Sequence, residues 1–91
     1  MNAFEPASKL IDRCVEDANG ERVGRVRELL MDVDRGQIEY VLITLDGQAR
    51  RSRQVTVPWS IVRTDSRAVE HWRLTVNKRA LENLARAVSG V

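Results

Sequence analysis

Only one cysteine, Cys14, occurs in the sequence, so no internal disulfide can form, which fits a reducing compartment. With no second thiol and no histidine near it in sequence, Cys14 reads as a buried thiol rather than a nucleophile. The sole histidine, His71, lies between Glu70 and Trp72 and reads as a surface residue rather than a general base. Uninterrupted apolar stretches reach only three or four residues, which excludes a helical membrane span. The opening MNAFEPASK lacks a basic start followed by an apolar core, so no export signal is expected and the expected location is cytoplasmic. Aromatic residues make up 4% of the chain, too few for an exposed stacking array of the kind that grips single-stranded nucleic acid.

Motifs that carry chemistry are also missing. DVDRGQIE resembles the start of a calcium loop, but counting from Asp32 the sixth and twelfth positions hold Gln37 and Ile43. Such a loop needs glycine and a bidentate acid there. A hairpin turn with two solvated aspartates is the better reading. The glycines form no phosphate-binding pattern, since none is followed by a lysine at the required distance. The sequence therefore predicts no catalytic residue, no metal site and no cofactor, and the protein is not expected to be an enzyme.

What is present is ordinary for a folded globular chain: 43% hydrophobic and 31% charged residues over 91 positions. That length suits one domain with one core, here 8–91, preceded by a tail, 1–7. The formal net charge is only +2, yet it is unevenly spread. Residues 1–49 carry 6 basic and 10 acidic side chains, whereas 50–91 carry 9 basic and 3 acidic. Such asymmetry can orient a partner or align two copies head to tail.

Turn signals occur at DANGE (17–21), DVDRGQ (32–37) and DGQ (46–48), a spacing of roughly ten residues or more that marks short antiparallel strands. Asn19-Gly20 is the strongest, because both residues tolerate the positive φ of a tight primed turn. QIEYVLITL (37–45) is the clearest strand, with Ile38, Tyr40 and Leu42 on one face and Val41, Ile43 and Leu45 on the other. A strand apolar on both faces should be covered on both sides. Segment 22–33 fits a helical stripe through Val23, Val26, Leu29, Leu30 and Val33, or a strand with a β-bulge near Arg27-Glu28; the preceding turn and Gly24 favour the strand. Val55 and Val57 alternate in a strand that stops at Pro58-Trp59. Trp72, Leu74 and Val76 alternate in another. Asn77 is a candidate N-cap for an amphipathic helix over 77–88, with Leu81, Leu84, Ala85 and Val88 on its apolar face and Gly90 closing it.

The order of these motifs resembles the PRC-barrel family, the small β-barrel of the cytoplasmic domain of the photosynthetic reaction centre H subunit and of a ribosome maturation factor. The resemblance spans roughly residues 8 to 84. Its most specific pieces are Asn19-Gly20-Glu21 with Val23-Gly24 and Val26, the Asp-x-Asp-x-Gly turn at 32–36, and Val57-Pro58-Trp59. It implies a mainly all-β fold, a small antiparallel barrel of about five or six strands with a short C-terminal helix across its mouth. It places Gly20, Gly24, Gly36 and Pro58 in structural roles. Pro58 would end the fourth strand, where no further ladder donor is needed. Trp59 would fold back over the barrel end as a plug, or offer a ligand platform. In the link between the third and fourth strands many relatives are glycine-rich and apolar, whereas this chain has DGQARRSRQ (46–54).

The candidate binding residues are Arg50, Arg51 and Arg53 in that link, together with Trp59. The arginines are suited to an anionic contact, either an acidic protein surface or a phosphate backbone, or they form a solvated connector. The function implied by the resemblance is a non-enzymatic module for protein binding or assembly. An RNA- or ribosome-associated factor using the basic link is the alternative, and a soluble accessory subunit of a photosynthetic membrane complex is a third. Because the third strand is apolar on both faces, self-association as a homodimer is expected.

Overall fold

A computed structural model describes residues 4, 6–46, 53–64 and 71–89. Six strands form one sheet: β1 (Cys14–Glu16), β2 (Arg22–Asp32), β3 (Gln37–Leu45), β4 (Arg53–Pro58), β5 (Val62–Arg63) and β6 (His71–Leu74). A 3-10 turn at Ala7–Leu10 precedes β1, a second at Trp59–Ile61 joins β4 to β5, and helix α1 (Lys78–Ser89) follows β6. The fold is mostly β, with the one short helix at the C-terminal end.

The strand order β4-β3-β2-β1-β6-β5 puts two consecutive strands, β4 and β5, at opposite ends of the sheet. In a flat sheet those ends would lie about 24 Å apart. The three residues Trp59–Ile61 bridge at most about 14 Å even when fully extended. The sheet must therefore curl until its ends approach, giving a half-barrel. This also accounts for the proline. β1 to β4 run antiparallel in sequence, while β6 is antiparallel to β5 and parallel to β1. It follows that β5 continues in the sense of β4. Pro58-Trp59 kinks one path from edge to edge of the sheet without reversing it, and Pro58 (φ −67°) closes β4 as the cross-strand partner of Tyr40.

Within segment 22–33, Arg22–Asp32 is a strand, not a helix. Val26 pairs with Ile43 and Glu28 with Leu42, so Arg27 is the extra residue of a bulge. The bulge turns both Arg27 and Glu28 outward and returns Leu29 to the core side, which is how a helix-like spacing fits on a strand. The concave face holds the core: Val15, Val23, Val26, Val41, Ile43, Val55, Val57, Trp72 and Leu74, with Leu81 of α1. Each such aliphatic side chain contributes about 1.5–3 kcal/mol by leaving water. Cys14 is half-buried and unpaired, less enclosed than the buried thiol expected from sequence.

The turns differ in detail from the sequence reading. Gly20 takes φ 83°, but Asn19 does not take a positive φ, so the first turn is not a primed one. It is a 17–20 turn, with the Gly20 amide donating to the Asp17 carbonyl at 3.0 Å, and Asp17 supplies its side chain as well. At 32–36 both aspartates reach solvent, and Asp32 also holds the turn. The carboxylate of Asp32 accepts from the amides of Asp34 and Arg35 at 3.0 and 3.2 Å, and Gly36 leaves the turn at φ 67°.

Helix α1 starts where Asn77 accepts from the Ala80 amide at 2.9 Å, the expected N-cap. Exchanging Asn77 for alanine should cost about 1 kcal/mol, and thermal denaturation would read this as a fall of roughly 4–8 °C.

Candidate interaction surface

Alternation along β2, β3 and β4 sends one set of side chains into the core and presents the other on a convex outer face. Cross-strand register arranges that outer face in rows: Leu30, Tyr40 and Pro58; then Glu28, Leu42 and Thr56; then Arg25, Thr44 and Gln54. The first row is apolar and uncovered, with Leu30 40% and Tyr40 48% exposed. Met31 is 56% and Val33 83% exposed where the β2–β3 hairpin continues outward. The expectation that both faces of β3 are covered thus holds on the inner side only within one chain. Val41 and Ile43 are fully buried, Leu42 is half-buried, and Tyr40 stands open to solvent.

A depression that holds both acidic and basic side chains lies at each end of this face. At the hairpin end a shallow depression is lined by Leu30, Met31, Asp32, Arg35, Glu39 and Tyr40. Its one cation, Arg35, faces Asp32 at 3.8 Å. At the opposite end a second depression is lined by Asp12, Arg25, Arg27, Thr44, Asp46 and Gln54, around Val26. There Asp46 is held by Arg22 at 2.7 Å. Among the described residues Arg25 and Arg27 have no ion-pair partner, and neither do Asp12 and Glu28 near them or Asp34 and Glu39 towards the hairpin, so unpaired charge of both signs borders the apolar row.

Of the sequence-predicted site residues, Arg50 and Arg51 lie outside the described residues. Arg53 opens β4 opposite Leu45, exposed at the barrel end on the side of Val55 and Val57, and so is not on the face that carries Arg25 and Arg27. Trp59 is half-buried; its ring meets that of Trp72 edge-on, with centroids 5.4 Å apart and planes at 76°. The ring packs against the core cluster. Gly24 lies where β2 passes closest to β3: a Cβ built there would be 2.1 Å from the Thr44 carbonyl oxygen.

Sequence reasoning missed Asp17. Its side chain is only 1% exposed, yet it is fully satisfied. Oδ1 accepts from the Asn19 and Glu21 amides at 2.8 and 2.9 Å, and Oδ2 from the Lys78 amide at 2.8 Å. One carboxylate therefore closes the β1–β2 turn and caps α1, 61 residues further along the chain. Burial pushes its pKa up, but the three amide donors and the Lys78 charge outweigh that and hold it below the ordinary aspartate value. The visible signal was an aspartate two residues before Asn-Gly; its link to the helix lies only in the fold.

No group of three or more His, Cys, Asp or Glu among the described residues is placed to hold a metal, and no described helix is long and apolar enough to cross a membrane. The fold and this surface define a small, curled β-barrel module. A family model for the PRC-barrel domain matches residues 3–80, and the chain belongs to that family. Among solved structures it is similar to a putative 16S ribosomal RNA processing protein RimM from Pseudomonas aeruginosa, with a TM-score of 0.58 and 14% identity. The match covers 82% of this chain and 45% of that one, so this chain spans less than half of that protein's length. Comparison with curated proteins gives no match.

Proposed function

We propose that the protein is a non-enzymatic protein-binding or assembly module whose contact surface is the outer face of β2, β3 and β4. The observation that carries this reading is the uncovered apolar row Leu30–Tyr40 on a sheet whose other face is fully packed. Exposed apolar side chains grouped on a rigid sheet with charged surroundings are the usual composition of a contact surface. Capture by the immobilised protein tests it. Wild type should retain a distinct protein after nuclease treatment, and Tyr40→Glu should lose that protein while melting within a few degrees of wild type. Equal capture by wild type and variant would exclude this face.

A second reading, association with RNA or the ribosome, is favoured by the exposed guanidiniums of Arg25, Arg27 and Arg53 and by the likeness to an rRNA processing protein. Replacing Arg50, Arg51 and Arg53 together with serine separates the two. Exposed ion pairs contribute about 0–1 kcal/mol each, so the melting temperature should hardly change. Binding to single-stranded RNA that fades steeply with salt in wild type and is lost in the variant would establish the RNA reading. Unchanged capture at unchanged salt would make the arginine-rich link a solvated connector.

A further inference from the structure

Five large hydrophobic side chains stand exposed among the described residues, and four of them, Leu30, Met31, Val33 and Tyr40, belong to the β2–β3 hairpin. The hairpin extends past its neighbours. β1 pairs with β2 no further than Arg25, and β4 ends opposite Tyr40, so the pairs Met31–Ile38 and Asp32–Gln37 have no described strand on either side. Charge on this element is one-sided. From Glu28 to Tyr40 it carries four carboxylates, Glu28, Asp32, Asp34 and Glu39, against the single guanidinium of Arg35, which faces Asp32 at 3.8 Å. The formal charge is −3, and it is still −2 when Arg27, next to Glu28 on the barrel side, is counted. The whole chain is +2, so the hairpin is a local acidic region on a basic protein.

Register sets the acids around the apolar row. Leu30 pairs with Tyr40 and Met31 with Ile38, so Glu39 is the extra residue of a second bulge, and it lines the same depression as Leu30, Tyr40 and Asp32. A partner that covers Leu30 and Tyr40 also takes water from these carboxylates, which favours binding only if it brings cations to them. A phosphate backbone would meet charge of its own sign here. A second copy of the same hairpin would set acid against acid. We infer that the β2–β3 hairpin docks a basic, amphipathic segment of another protein, with aliphatic side chains on Leu30 and Tyr40 and lysine or arginine side chains on Glu28, Asp34 and Glu39. The inference rests on the protein-binding reading of the outer face and names the chemistry of its partner.

Titration of isotope-labelled protein with a short amphipathic peptide of leucine and lysine, and with its leucine–glutamate counterpart, tests the inference by amide NMR shifts. The lysine peptide should shift amides between 28 and 40 and leave those of α1 in place, added salt should weaken it, and the glutamate peptide should not bind. Glu28→Lys/Glu39→Lys and Leu30→Ser should each weaken binding at least roughly tenfold, whereas Arg25→Glu/Arg27→Glu should bind no more weakly than wild type. The dispersion of each free spectrum shows that the variant is folded. No binding of the lysine peptide at high micromolar concentration would overturn the inference, as would equal binding of both peptides, shifts centred elsewhere, or an undiminished Glu28→Lys/Glu39→Lys variant. Displacement of the peptide from these amides by polyuridylate would also overturn it and assign the face to RNA. If Tyr40→Glu abolishes capture of a distinct protein while Glu28→Lys/Glu39→Lys does not, this inference falls and the binding-module reading stands.

Discussion

Gly24→Ala is expected to lower stability by about 3 kcal/mol or more, equivalent to a fall of roughly 12 °C or more in melting temperature. The added methyl would sit 2.1 Å from the Thr44 carbonyl oxygen and 3.0 Å from the Leu45 Cα, both backbone atoms of the adjacent strand. A flexible side chain could swing away at low cost, but here β2 and β3 must separate. That separation would stretch the ladder between Gly24 and Leu45 and open the core around Val23, Val26 and Ile43. Gly36→Ala is the natural control. Nothing lies within 4 Å of a Cβ at position 36, so the cost there comes only from φ 67°, about 1 kcal/mol. Chemical denaturation of the two variants side by side would show the ranking. A Gly24→Ala protein no less stable than Gly36→Ala would mean that β2 and β3 do not approach as described.

Asp17→Asn should be the next most damaging single change outside the apolar core, lowering the melting temperature by on the order of 10 °C. Asparagine matches the size of aspartate but has only one acceptor oxygen. Either its amide group faces the Lys78 N–H, donor against donor, or it faces the Asn19 and Glu21 amides. The damage should appear first in α1, whose amides would exchange hydrogen faster while those of β3 stay protected.

The same carboxylate predicts a pH dependence. Its folded-state pKa is depressed, so its contribution is complete above the unfolded-state value near 3.8 and is lost as pH falls through the still lower folded value. Wild type should therefore lose stability below about pH 4, and Asp17→Asn should lack that part of the acid dependence. Parallel acid profiles for the two proteins would refute the assignment.

Alternation and turn chemistry were readable directly from the residues. Gln37–Leu45 could be recognised as a strand and Asn77 as a cap, because each signal acts within a few positions along the chain; the DGQ signal at 46–48 lies, beyond Asp46, outside the described residues. The bulge at Arg27 was legible for the same reason: two outward-facing charges between apolar neighbours can fit a strand only if the phase shifts. The order of these signals resembles the PRC-barrel family, and it was that resemblance which implied the barrel. Sequence could not decide which distant groups meet. That the Asp17 carboxylate reaches the start of α1, that β6 runs parallel to β1, and that Leu30 and Tyr40 share an open row all follow from the curl that brings β4 and β5 together. The arginines singled out in the sequence illustrate the limit. Proximity along the chain grouped Arg53 with Arg50 and Arg51, whereas Arg25 and Arg27 were not considered for binding, because only strand register places them on the outer face with Tyr40. Local propensity depends on neighbours in sequence, and a surface depends on neighbours in space.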